Sequence, residues 1–398
     1  MKNQNSSKTS VLIVSAYFEP YISGGGPVQS LKSLVNLLHG NKFVFNIFTE
    51  LRSNEFGRSA FFSRNMSYGM VFYFSRFLGS IAYFFKLLFS SADVLYLNSL
   101  FSFKFSFLPL IFSCINPRIK RVVLAPRGEL YTGALQKSRL KKTIFIWCWS
   151  LFISKRYVTF HATSNQEVET IQRYFGKWRC LVAGNIPDLD LLNDKTNNKC
   201  SKKDVYSISS DRLKILWYGR IVPKKNLNFI FEVLTSVSRD VHLTVLGPVE
   251  DQVYFSECLA GLSKCGQNIT CDFLGDYSRN ELLVALSQSH VCCFPTFGEN
   301  FGHVIWESLA CGVPVAISEY TPWKCDRPAL NVLSINSRSE WVDFIQTFDI
   351  SFHTSAIVRK EAVDRAKNYI SFGFDGDSLL SQNINIFASS RGECHGPI

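Results

Sequence analysis

The chain has 398 residues, 46% of them hydrophobic and 19% charged, which is enough for two packed domains and too apolar for a disordered chain. A formal charge of +11 points to an anionic partner, whether nucleic acid, a phosphate-bearing small molecule or the negative leaflet of a membrane. Twelve cysteines, irregularly spaced and without a C-x-x-C pair, form no zinc pattern and read as buried free thiols of a reducing compartment.

In chain order, the apolar run VLIVSA is too short for a secretory core and leads at once to Glu19 and Pro20. VLIVSAYFEP reads as a strand, SGGGP as a glycine loop and VQSLKSLVNLL as a helix, which places Gly24, Gly25 and Gly26 at a helix N-terminus on the carboxyl edge of a parallel sheet. The spacing is not G-x-G-x-x-G, and a plain tight turn explains it almost as well. Further strands are predicted at FVFNIFT, DVLYLNS, RVVLAPRG, VTFHATS and CLVAGNIP, alternating with helical or loop sequence.

Met66 to Ser90 is the one candidate for crossing a membrane, but Arg76 and Lys86 would each cost roughly 2.5–3.5 kcal/mol near a bilayer centre. Phe74, Phe77, Leu78, Ile81, Phe84, Phe85 and Leu88 recur at helical spacing, opposite Arg76, Gly79, Ser80, Tyr83 and Lys86, so an amphipathic helix covering a sheet is predicted, with a membrane surface as the alternative. Arg127 and Asn98 end two of the strands, where Arg127 could orient an anionic or hydroxylated ligand or simply make an ion pair. His161 reads as structural, beside a capping box of Ser164 and Glu167.

From Asp188 to Arg212 the sequence turns polar and irregular, as a linker does. A second alternating set follows: LKILWYGR, HLTVLGPV, ITCDFLG, VCCFPT and VPVAIS. The first of these leads into GRIVPKKN, where Arg220 and Lys225 leave one strand end together. VCCFPT leads through a glycine-bearing loop, Gly298 and Gly302, into a helix ending near Gly312 and Pro314, with Glu299 and Glu307 eight apart and His303 on the face of Glu307. Backbone N–H groups at such a helix start favour phosphate, and the two carboxylates suit sugar hydroxyls.

Glu-x7-Glu in this setting, with G-R-x4-K upstream, resembles the donor site of the retaining glycosyltransferases of family 4, which have the GT-B fold. The resemblance is specific from about Leu213 to Trp323, and it implies two doubly wound Rossmann-like domains facing a central cleft: 1–190 on the acceptor side, a linker at 191–212, a nucleotide-sugar domain at 213–372, and a tail at 373–398 whose helix crosses back to the first domain. It implies that Glu299 meets the transferred sugar, that Asn300, Phe301, Gly302 and His303 line the donor, and that Glu307 holds the ribose hydroxyls. It gives Arg220 and Lys225 the leaving diphosphate, needs no metal, and sets Gly25 and Gly26 near the donor phosphates with Arg127 and Asn98 on the acceptor side.

The T-P-W-K stretch that follows resembles a variant of cell-surface polysaccharide transferases of the capsule and O-antigen type, which implies a lipid-linked glycan acceptor and a cytoplasmic enzyme; the net charge and the amphipathic Met66 to Ser90 helix add peripheral attachment to the inner face of the membrane. It lacks the usual glycine turn, so the shape of that edge is left open. An epimerase on the same fold would bind the same donor and need no acceptor. A basic nucleic-acid or membrane-binding protein without turnover would cluster its lysines and arginines, whereas here they read as dispersed.

Overall fold

Parallel strands buried on both faces need apolar residues throughout rather than alternation, and the central strands of this protein have them. Val158–Ala162 and Val291–Phe294 are buried at every residue. The computed structural model describes residues 8–19, 26–40, 42–51, 61–76, 78–131, 139–153, 158–192, 212–324, 328–373 and 378–388. It divides into two units, one of Met1–Ile186 with Phe372–Ile398, the other Pro187–Ser371.

The first unit is built on eight strands: β1 (Thr9–Val14), β2 (Phe43–Glu50), β3 (Phe61–Met66), β4 (Gly69–Phe74), β5 (Ala92–Leu97), β6 (Ile119–Leu124), β7 (Val158–Ala162) and β8 (Cys180–Val182). They run in the order β3-β4-β2-β1-β5-β6-β7-β8, all parallel but β3, which pairs antiparallel with β4. Helices α1 (Gly26–Leu38), α2 (Leu78–Leu88), α3 (Leu108–Ile115), α4 (Arg139–Ile153) and α5 (Asn165–Phe175) connect them, and a π-helical turn, Phe103–Phe107, runs directly into α3.

The second unit has six parallel strands, β9 (Leu213–Tyr218), β10 (Val241–Leu246), β11 (Ile269–Gly275), β12 (Val291–Phe294), β13 (Val315–Ser318) and β14 (Leu330–Leu333), in the order β11-β10-β9-β12-β13-β14. Its helices are α6 (Leu227–Leu234), α7 (Gln252–Leu262), α8 (Arg279–Ser287), α9 (His303–Ala310), α10 (Arg338–Thr347), α11 (Ile350–His353) and α12 (Ala356–Phe372). The last helix, α13 (Leu379–Ala388), returns to the first unit, where the Phe387 ring packs 5.8 Å from Phe43 and from Phe45.

The tract Met66 to Ser90 departs from the expected single helix. Gly69–Phe74 is a strand, because Gly69, at φ 141°, lets the turn press on β2 where an added Cβ would lie 2.0 Å from the Phe45 carbonyl oxygen. The face of α2 is also reversed. Tyr83 and Leu87 are fully buried, while Ile81 and Phe85 stand in solvent; Phe77 lies outside the described residues. Tyr83 can be the core residue because its O–H donates to the Lys104 carbonyl at 2.8 Å, so burial leaves it satisfied. Most of the expected linker also lies outside the described residues. Its start does not: Leu189–Leu192 forms a 3-10 turn within the second unit.

Candidate functional site

Two loops meet at the carboxyl edge of the second sheet. After β9 the chain makes a 3-10 turn, Pro223–Lys225, closed by Asn226 in the left-handed region at φ 56°. After β12 it runs through Thr296–Phe301. The two are joined by backbone: Phe297 N–H donates to the Lys224 carbonyl at 2.9 Å, and the Thr296 hydroxyl to the same oxygen at 3.1 Å. With the loops so fixed, Lys225 Nζ forms an ion pair with Glu299 Oε1, and the two side chains are only 20% and 13% exposed, so each charge depends on the other. Lys224 keeps solvent contact, yet its packed surroundings hold its ammonium below the ordinary lysine value, with Lys225 and Arg220 adding to the effect and Glu299 opposing it.

Arg220 does not meet Glu299. Its guanidinium lies 3.0 Å from Glu250, in the loop after β10, in a pair more than a third exposed on both sides. Of the two cations that leave this strand end, Lys225 alone pairs with Glu299. The physical reason is that Arg220 stands at the start of the loop, where the neighbouring strand end offers a nearer carboxylate.

The glutamate loop is held from behind. Glu299 N–H donates to the Tyr320 carbonyl at 3.2 Å, and Trp323 Nε1–H to the Phe301 carbonyl at 2.7 Å. The Phe301 ring is buried against Trp323 and Tyr369, with centroids 5.8 and 4.8 Å away, and His303 packs edge-on at 4.8 Å. Phe301 thus acts as an anchor, and only its backbone faces the loop. Gly302 caps α9 in the left-handed region at φ 83°, where a Cβ would come within 2.7 Å of Ile305 Cδ1. The T-P-W-K stretch supplies this support, which answers what shapes that edge.

Glu307 stands in the second turn of α9, which Tyr218 fixes by donating its O–H to the Val304 carbonyl at 2.6 Å. Although Glu307 keeps some solvent contact, the packing around it dominates. Burial first, and then the charge of Asp188, push its carboxyl up to about 8, against the pull of Arg279 and Tyr218. Arg279 is engaged elsewhere, in an ion pair with Asp188. Asp188, Arg279 and Tyr218 escaped the sequence reading. LWYGR gave a signal for Tyr218, but nothing marked Asp188, which sits where the linker was expected to begin.

In the first unit, Arg127 forms no ion pair among the described residues and is held by neutral groups. It adopts φ 55°, and its guanidinium donates to Asn98 Oδ1 at 3.0 Å, Asn185 Oδ1 at 2.5 Å and the Tyr96 hydroxyl at 2.7 Å. Tyr96 in turn donates to His161 Nδ1 at 2.8 Å, and His161 Nε2–H donates to the Ala183 carbonyl at 2.9 Å. Burial, with Arg127 adding, lowers His161 to about 3, so it is a neutral member of this network. The capping box at Ser164 forms only in part. Ser164 accepts from Glu167 N–H at 3.2 Å, but the Glu167 carboxylate turns to Thr163 N–H and to Gly128 N–H, at 2.7 and 2.5 Å. Gly26 opens α1, whereas Gly25 lies outside the described residues.

Residues 198–324, all in the second unit, match the family of glycosyl transferases group 1. A curated relative, the D-inositol 3-phosphate glycosyltransferase of Mycobacteroides abscessus, is 23% identical over 209 residues, which are 52% of this chain and 46% of the relative. The chain thus spans about half the length of that protein. Among solved structures, sucrose-phosphate synthase from Thermosynechococcus elongatus superposes with a TM-score of 0.69 at 14% identity, covering 95% of this chain and 97% of that one. Anabaena HepE, crystallised with UDP-glucose, gives 0.65 at 15% identity over 95% and 98%. The fold is GT-B.

Proposed function

We propose that the protein is a retaining glycosyltransferase of the family 4 type, moving a sugar from a nucleoside diphosphate sugar to an acceptor hydroxyl. The observation that carries this reading is the Lys225–Glu299 pair, which closes two strand-end loops, the second leading into the helix that bears Glu307. The group 1 domain in the same unit and the UDP-glucose held by a structural neighbour support it.

In this reading the donor sugar displaces Lys225 from Glu299. Glu299 then accepts hydrogen bonds from the sugar hydroxyls, and the backbone N–H groups of Asn300–His303 face the sugar and diphosphate. Lys225 turns to the diphosphate, with Arg220 at the rim, and the two cations oppose charge that grows as the anomeric C–O bond breaks. The acceptor oxygen forms its bond to the anomeric carbon on the same face and passes its proton to the leaving phosphate oxygen. The cations do this without a metal. Glu307 holds the ribose hydroxyls. Gly25, Gly26, Asn98 and Arg127 belong to the phosphate and acceptor side, and a lipid-linked glycan of cell-surface polysaccharide synthesis is the acceptor, met from the cytoplasm.

A donor screen on the purified chain, reading release of nucleoside diphosphate with and without lipid-linked acceptor, tests this. Glu299→Ala and Lys225→Ala are each expected to lower turnover about a hundredfold, equivalent to ~2.7 kcal/mol at the transition state. Folded variants that turn over at the parental rate would sink the site assignment. A changed sugar released without acceptor would make the protein an epimerase.

A further inference from the structure

The positive charge is not dispersed. Between Arg76 and Arg156 stand thirteen lysines and arginines against two acids, Asp93 and Glu129, an excess equal to the +11 of the whole chain, so the remainder is balanced. Neither acid offsets it outwardly. Asp93 accepts from Ser10 N–H and pairs with Lys120, and the Glu129 carboxylate accepts from Ser99, Leu100 and Phe101.

The helices of this same stretch are apolar on two faces. On α2, Tyr83 and Leu87 are buried while Ile81, Phe85 and, just past its end, Phe89 stand 66%, 59% and 65% exposed, four residues apart. On α4, Trp149 is buried while Ile144, Trp147 and Leu151 stand 59%, 63% and 47% exposed at helical spacing. The helices form one layer: Phe84 of α2 meets Phe112 of α3 at 6.0 Å, and Phe107, at the head of α3, meets Phe145 of α4 at 5.4 Å. Cations lie among these side chains, Lys86 over the Phe72 ring at 4.1 Å and Lys142 over Phe101 at 5.2 Å. A cleft of about 550 Å³ opens beside α2, lined by Phe48, Phe72, Phe74, Phe85, Phe89 and Lys86 among others.

We propose that the outer face of α2 and α4 in the first unit docks on an anionic phospholipid bilayer, the exposed aliphatic and aromatic side chains entering the interface while the surrounding lysines and arginines meet lipid phosphates. Two exposed apolar stripes on neighbouring helices suit an interface plane, and exposed apolar area of this kind marks an interaction surface. No helix among the described residues is long and apolar enough to cross a membrane, so the helices lie along the surface. A second copy docked face to face would set like charges, Lys86 and Lys142 among them, against one another. The proposal stands apart from the transferase reading, since a chain without turnover would keep this face.

Flotation of the full chain with phosphatidylcholine vesicles, with and without phosphatidylglycerol, tests it. Binding is expected at least tenfold tighter to the anionic vesicles, with a blue shift of tryptophan emission that Trp147→Phe removes. Phe85→Ser with Trp147→Ser is expected to weaken binding at least tenfold at unchanged Tm. Lys86→Gln with Lys142→Gln keeps the apolar residues and should weaken it several-fold and reduce its sensitivity to salt. No binding to anionic vesicles, or undiminished binding by the serine variant, would overturn the proposal. So would equal affinity for duplex RNA that survives the serine changes, or a lipid-free dimer that those changes dissolve. UDP-glucose binding measured on the same samples reports separately on the donor site.

Discussion

If Glu307 accepts the ribose hydroxyls, it must do so as an anion, and its surroundings oppose that charge. With its carboxyl raised to about 8, ionising it at pH 7 costs ~1.4 kcal/mol, so roughly one molecule in ten carries the binding form. Affinity for the nucleotide sugar should therefore rise about tenfold between pH 7 and pH 9 and level off above that, because a carboxyl already ionised gains nothing further. Glu307→Gln should bind more weakly and lose this dependence. Asp188→Asn removes the repelling charge and releases Arg279 from its ion pair, so the midpoint should move to lower pH, whereas Arg279→Met should move it higher. Calorimetric titration with the nucleotide sugar chosen by the donor screen measures all four, and the sugar diphosphate itself, a diester, does not titrate in this range. Parental affinity that is flat from pH 7 to 9, or a dependence that survives in Glu307→Gln, would refute the reasoning.

Linkage gives a companion result. The folded state holds the Glu307 proton more tightly than the unfolded chain, so this contribution to stability is full below about pH 4.5 and is lost as pH rises through about 8; Glu307→Gln should flatten that fall in a urea titration. His161 has the opposite sign: its proton is bound less tightly when folded, so its contribution is present above about pH 6.5 and lost on acidification, and its ring resonances should stay unshifted until below about pH 4. Arg127→Met should lower the stability of the first unit by about 2–4 kcal/mol, because Asn98, Asn185 and Tyr96 lose their donor; an unchanged Tm would contradict the network. Trp323→Phe keeps the ring and loses the bond to Phe301, so it should cost about 1 kcal/mol and weaken donor binding more than Tm suggests.

The alternation of apolar runs with helical and glycine-bearing stretches determined two doubly wound units, since parallel strands buried on both faces have few other ways to be written. The same local logic placed Gly302 at a helix start, Glu299 on the loop before it and Lys225 on the loop after β9. What local reading could not see was which face or partner would win in the folded chain. α2 turned Tyr83 inward because a carbonyl from the segment after β5 lay in reach of its hydroxyl, and periodicity cannot count such a partner. Arg220 took Glu250 for the same reason. The raised carboxyl of Glu307 comes from burial and then from Asp188, against Arg279, and the support of the Glu299 loop from Trp323 and Tyr369, all remote in sequence. Spacing along a chain determines what each segment can become, whereas burial and charge are summed over neighbours that only the folded chain assembles, and so the protonation and pairing of the site belonged to the tertiary structure alone.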